Sequence, residues 1–450
     1  MKMLQELGNL SLIEGPLPLI FWILGVLALL LLLLLRRSLR WWLFALVSAV
    51  LAAAASIFAC WAVIHVLYIW PEDLPTAVVI NVALFLWIVA LGSTTALAGL
   101  RRPRAGAVKP GVSLSRRALA VVAMAVALAT VGLRINADFG EFPTVRSLFS
   151  AQTLNLSTVA PPAPKHEPGK RFMTAGVSTR WNAPVGLPAR GSVSSVPIAG
   201  AVSGFHARNA VVYLPPAYSA VNRPVLPVVV LVSGQPGSPE SWLRSTDLIG
   251  QLDSFAAAHG GLAPVVVMPD PNGADQANTM CMDSSVAQAD TYMSKDVPHW
   301  IKTHLDADTN PAHWAVGGFS YGGTCAMQMV TRHPGIYRTF MAISPEREPA
   351  LAVNRSLTIA RAFNGDTAAF DALVPLTLLA KNKYPEISGW FASGSQDATY
   401  SANVKVLQVA ANKAGMTTQK SVFPGGHSWA VASAALPQGL AYMFSRIGLQ

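Results

Sequence analysis

The stretch 313–330, HWAVGGFSYGGTCAMQMV, sets one serine among four glycines, between an apolar run and an apolar pattern of helical spacing. Gly318-Phe319-Ser320-Tyr321-Gly322 reads G-x-S-x-G at a strand-to-helix junction. That spacing suits a nucleophile elbow, a turn tight enough to strain the serine backbone and push its hydroxyl out at the end of the strand. Glycines two before and two after let strand and helix approach closely, and the helix N-terminus behind Ser320 offers N–H groups and a positive field. A hydroxyl used this way needs a base, and the base needs a carboxylate to orient it. The chain order for such a turn is Ser, acid, His.

Two of the nine histidines follow Ser320. His333 falls near the end of the helix that starts after the serine, about 18 Å along its axis and out of reach. His427, in FPGGHSW, follows a strand on a Gly-Gly loop and is the expected base. The expected acid is Asp397, in GWFASGSQDATY, where a strand ends; Asp366 and Asp371 have no strand end before them. An oxyanion also needs backbone donors. Tyr321 N–H, directly after the nucleophile, is one. The other is expected from the turn in LVSGQPGSPESW, where Pro236 has no N–H, Gly234 permits the bend and Gln235 supplies the donor.

The elements that must position these groups alternate. RNAVVYLPP, LPVVVLVSG, LAPVVVMPDPNG, HWAVGGFS, RTFMAIS, EISGWFASG and QKSVFPGG read as strands, and SWLRSTDLIGQLDSFAAAHGG, SKDVPHWIKTHL and YGGTCAMQMVTRH as helices. The continuous β-branched runs are those of buried parallel strands. The fold class is therefore α/β, a mostly parallel sheet with helices on both faces.

The first third has a different composition. Of 450 residues, 52% are hydrophobic and only 12% charged, with a mean hydropathy of +0.40; a soluble chain carries about 25% charged residues. Four apolar stretches, about 17–35, 42–68, 76–99 and 118–134, approach the ~20 residues a bilayer demands. The first lacks a basic leader and ends in Arg36-Arg37 rather than at a small-residue cleavage site, so it reads as a retained anchor. RRSLR and RRPRAGAVKPGVSLSRR are basic, whereas YIWPEDLP between them is acidic. Basic loops stay cytoplasmic, which places the N-terminus and everything after about residue 135 outside the plasma membrane. The net charge of +10 thus concentrates where it orients membrane helices, not where nucleic acid would bind. The spans carry few ionisable groups beyond His65, with Asn81 as a polar one, too few for a transport pathway. The expected organisation is a transmembrane region over 1–135, an extended Pro-rich linker over 136–190 that includes STVAPPAPKHEPGKRF, and a catalytic domain over 191–450.

With these residues in place, 205–446 resemble the esterase D/antigen 85 branch of the α/β-hydrolase fold, which includes mycolyltransferases and feruloyl-esterase-like enzymes. The resemblance rests on Ser320, Asp397, His427 and the Gln235 and Tyr321 backbone. The four-span layout looks like that of membrane-anchored actinobacterial esterases. It implies a cofactor-free serine esterase or acyltransferase acting on an envelope lipid or acylated sugar. The alternative is an envelope scaffold with a hydrolase-like domain, which has little reason to keep three catalytic groups in order. None of the 3 cysteines sits in a zinc-type spacing. Cys60 lies in an apolar run, whereas Cys281 and Cys325, in an oxidising compartment, are expected to bridge.

Overall fold

The computed structural model describes residues 6–67, 73–97, 114–153 and 181–449. The chain divides into two compact units, Met1–Phe149 and Ser150–Gln450.

The first unit holds four helices long and apolar enough to cross a membrane: α1 (Pro16–Leu34), α2 (Leu39–His65), α3 (Thr76–Ala96) and α4 (Leu114–Phe139). Helix α4 is longer than the apolar run 118–134 predicts, because a helix can continue through the polar residues of Leu114–Arg117 and Ile135–Phe139 that a hydropathy reading leaves out. A further helix, Val145–Thr153, occupies part of the expected linker. The four helices pack through small residues. A Cβ on Gly25 of α1 would lie 2.5 Å from Thr130 Oγ1 of α4, and one on Gly92 of α3 would lie 2.6 Å from Met124 Sδ. Close helix contact of this kind substitutes for the hydrophobic drive that lipid removes. Side-chain donors add interhelical bonds: Thr130 Oγ1 donates to Phe21 O (2.7 Å), Ser56 Oγ to Val79 O (2.7 Å) and Trp87 Nε1 to Ala45 O (2.9 Å). The Pro-rich stretch, most of the basic segment 101–117 and most of the acidic one lie outside the described residues, so the sidedness expected from them stays an expectation.

The second unit is built on one sheet of β1 (Ser192–Val196), β2 (Ala210–Leu214), β3 (Val228–Val232), β4 (Val265–Met268), β5 (Trp314–Phe319), β6 (Thr339–Ile343), β7 (Ser388–Gly394) and β8 (Thr417–Phe423). The order is β1-β2-β4-β3-β5-β6-β7-β8. β1 and β2 are antiparallel to their neighbours, and the six strands from β3 to β8 run parallel. Strands β2 to β6 are buried along their whole length, as their unbroken apolar sequences require. Packing begins before residue 191: Trp181 Nε1 donates to Gly260 O (2.8 Å) and Gly191 N–H to Asp253 Oδ1 (2.8 Å). The stretch read as a single helix after β3 breaks at Thr246-Asp247. Its second part, α5 (Leu248–Ala258), starts where Thr246 Oγ1 accepts Leu248 N–H.

The helices that matter for the site are α6 (Val297–His304), α7 (Tyr321–Arg332), α8 (Arg355–Phe363), α9 (Thr367–Asp371), α10 (Pro375–Lys381), α11 (Ala398–Lys413) and α12 (Trp429–Arg446). Helices α8 to α10 form an insertion between β6 and β7. It has its own small core, in which Ile359, Ala362, Phe370 and Val374 pack with Met280 and Met282 from the loop after β4.

Candidate active site

Ser320 sits between β5 and α7 with φ 56° and ψ −120°, a region that costs a non-glycine residue about 1–3 kcal/mol. The turn is held from two sides. Ser320 N–H donates to Ile343 O of β6 (2.8 Å), and Ser320 O accepts Thr324 N–H (3.0 Å). The flanking glycines are required by contact. A Cβ on Gly318 would lie 2.3 Å from the Gly322 carbonyl carbon, and one on Gly322 would lie 2.0 Å from Val232 O of β3.

The three residues expected to act together do meet. His427 Nε2 is 2.8 Å from Ser320 Oγ, and His427 Nδ1 is 3.1 Å from Asp397 Oδ2. The three are separated by up to 107 residues in the chain and converge because β5, β7 and β8 run parallel, so the loops after them leave the sheet at one edge. Asp397 N-caps α11: its other oxygen, Oδ1, accepts Tyr400 N–H at 3.1 Å. His427 leaves its Gly-Gly loop just before Ser428, whose Oγ caps α12 by accepting Val431 N–H. The side chains set aside in the sequence have other partners. His333 pairs with Asp290 (2.9 Å), Asp366 caps α9 by accepting Ala369 N–H (2.9 Å), and Asp371 pairs with Arg355.

Gln235 and Tyr321, the expected oxyanion donors, lie in the turn after β3 and at the start of α7. Val232 of β3 pairs with Gly318 of β5, so the turn carrying Gln235 leaves the sheet beside the elbow. Tyr321 is the first residue of α7, where a backbone N–H has no acceptor within the helix. Its phenol reaches Thr279 Oγ1 (2.9 Å), and full burial pushes its pKa upward, which keeps it protonated.

Arg208 is a residue the sequence reading missed. Its Nη2 donates to Gly237 O of the Gln235 turn (2.8 Å), its Nε to Asp270 Oδ2 (2.7 Å), and Nη1 pairs with Asp275. Gly237 N–H donates in turn to Asp275 O (3.1 Å), and Gln235 Nε2 to Gln276 O (3.3 Å). Burial opposes the charge on Arg208, but the hydrogen bonds and charge of Asp270 and Asp275 outweigh it and raise its pKa. No motif marks it, since the partners lie 62 and 67 residues away.

Cys281 and Cys325 are joined as a disulfide, with Cα atoms 5.4 Å apart at a sequence separation of 44. It ties the loop after β4 to α7. Cys60 is buried and unbridged. In the secreted or envelope setting, mass spectrometry without reductant should find Cys281 and Cys325 protected from alkylation. Replacing both with alanine should restore loop entropy to the unfolded chain, cost about 4 kcal/mol of stability and lower the melting temperature of the domain by roughly 10 °C.

No cluster of histidine, cysteine, aspartate and glutamate among the described residues is arranged to hold a metal ion. The arrangement is suited to acyl transfer through a serine, with a proton acceptor at 2.8 Å from its hydroxyl.

Several known proteins are similar to part of this chain. An uncharacterised protein of Corynebacterium glutamicum is 38% identical over 270 residues, which make up 58% of this chain; the chain spans 63% of that protein's length. A ferulic acid esterase superposes with a TM-score of 0.50 at 18% identity, over 58% of this chain and 99% of that one, a likeness of fold. An S-formylglutathione hydrolase from Agrobacterium tumefaciens gives a TM-score of 0.48 at 19% identity, over 58% of this chain and 97% of that one. The model of the family described as putative esterase matches residues 206–443, more than half of the chain. The protein therefore belongs to this esterase family of α/β-hydrolases.

Proposed function

We propose that the protein is a membrane-anchored serine esterase or acyltransferase whose catalytic groups are Ser320, His427 and Asp397. The observation that carries this reading is the unbroken chain of contacts from Ser320 Oγ to His427 Nε2 and from His427 Nδ1 to Asp397 Oδ2. Ser320 Oγ attacks the ester carbonyl carbon, and its proton passes to Nε2. The carbonyl electron pair moves onto oxygen, where the Gln235 and Tyr321 N–H groups receive it. Asp397 keeps the Nδ1–H tautomer in place and balances the imidazolium. The alcohol leaves with the proton from Nε2, and water or a sugar hydroxyl then takes the acyl group from Ser320. Nothing in this sequence of steps requires a metal or an organic cofactor.

The four apolar helices support anchoring in a bilayer, and the basic loops of the sequence support an outward-facing catalytic unit in the plasma membrane. A mycolate-like lipid or an acylated sugar in the outer leaflet is the substrate class that fits both, in keeping with the resemblance to the antigen 85 branch. The test is activity-based labelling. A fluorophosphonate should modify Ser320 of the full-length chain in detergent micelles, and Ser320→Ala should abolish the modification. Absence of labelling in the folded, unaltered chain would count against an enzyme and favour the scaffold alternative.

A further inference from the structure

Two aromatic rings stack on the imidazole of His427. Tyr400 lies with its centroid 3.8 Å away and its plane at 25°, and Phe319 lies at 5.1 Å and 27°. Tyr400 is 4% exposed. It is the third residue of α11, and its N–H donates to Asp397 Oδ1. One residue therefore touches two of the three catalytic groups: its backbone holds the acid, and its ring covers the base. Phe319 is backed by Trp429 at 5.0 Å, and Trp429 meets the fully buried Trp242 edge-on at 5.2 Å. The imidazole thus rests against a supported aromatic wall. At its two nitrogens the imidazole meets the Asp397 carboxylate and the Ser320 hydroxyl.

We propose that Tyr400 is a positioning residue that acts through the π face of its ring, holding His427 in line with Ser320 and favouring the imidazolium form during acyl transfer. The inference rests on the triad reading above. When Ser320 Oγ bonds to the carbonyl carbon, its proton goes to Nε2 and the ring gains a positive charge. A π face attracts that cation and is nearly indifferent to the neutral ring. The interaction is therefore stronger in the transition state than in the ground state, and belongs in kcat. Stacking on an uncharged ring would not weaken as its partner's π face is drained, because draining lessens the repulsion between the two negative faces.

The test uses the full-length chain in detergent micelles with p-nitrophenyl butyrate, and in parallel the rate of Ser320 labelling by a fluorophosphonate. Position 400 is changed to phenylalanine and then to phenylalanines carrying one, two and three fluorines, which drain the π face while keeping its shape. Both rates are expected to fall stepwise, about tenfold over the series, with KM within about twofold. Tyr400→Leu should fall at least as far as the most fluorinated ring, with the unfluorinated phenylalanine as the reference for the series. Rates that stay flat along the fluorinated series, or a change carried by KM alone, overturn the proposal. His427→Ala separates this result from the underlying reading: if that variant is inactive while the series is flat, only the role of Tyr400 fails; if it retains full activity, the triad itself fails.

Discussion

Replacing His427 with alanine is expected to lower kcat for an activated ester by roughly 10⁶-fold, leaving KM within about threefold. The size of the loss follows from what remains at the serine. Among the described residues no second basic side chain is recorded in contact with Ser320 Oγ, and the other downstream histidine, His333, is paired with Asp290. The hydroxyl then has no acceptor for its proton as it attacks. KM is preserved because the elbow does not depend on His427. Ser320 is fixed by its N–H to Ile343 and by the glycines that admit β3 and α7. Fluorophosphonate labelling should be slowed in the same proportion as turnover, since both begin with that proton transfer. Steady-state kinetics of the purified full-length chain, with melting temperature as a check on folding, decides the matter. Retention of more than about a hundredth of the activity would mean another group serves as base.

The second large effect separates two jobs of Asp397. Asp397→Asn should reduce kcat by about 10⁴-fold, because an amide facing Nδ1 neither enforces the productive tautomer nor balances the imidazolium. The same variant should change the melting temperature by less than about 2 °C, because asparagine caps helices as well as aspartate does and can still accept Tyr400 N–H. Asp397→Ala should lose as much activity and in addition about 1 kcal/mol of stability, the usual loss for a missing cap. Kinetics and thermal unfolding measured on both variants test the assignment. Equal stability of the two would show that the cap is unimportant, and an active Asn variant would remove Asp397 from the mechanism.

The candidate catalytic groups are legible in the sequence because each is tied to local punctuation. Ser320 is announced by glycines that a close strand–helix approach demands, Asp397 by a strand end, and His427 by chain order and a Gly-Gly loop. The continuous apolar runs mark β3 and β4 for a like reason: a strand buried on both faces has no polar residues to interrupt it. Long-range side-chain geometry was not legible. The ring of Tyr400 over His427, and the grip of Arg208 on Gly237 O, join residues far apart in the chain with no spacing to betray them. Strand β1, SVSSV, is too short and polar to stand out. The insertion after β6 is harder to read because its helices are only 9, 5 and 7 residues long, too short for periodicity to mark them. The fourth apolar helix was underestimated because its ends include polar residues that a hydropathy reading leaves out.

The small separate core of that insertion has an evolutionary consequence. Its apolar side chains pack mostly on one another and on Met280 and Met282, two residues of a loop whose intervening Cys281 is stapled to α7. Methionine adapts its shape to whatever covers it. The insertion can therefore drift in sequence, or be exchanged for a foreign one, as long as it presents a greasy underside to two forgiving side chains. The strands that carry Ser320 would need no change to accept such an exchange.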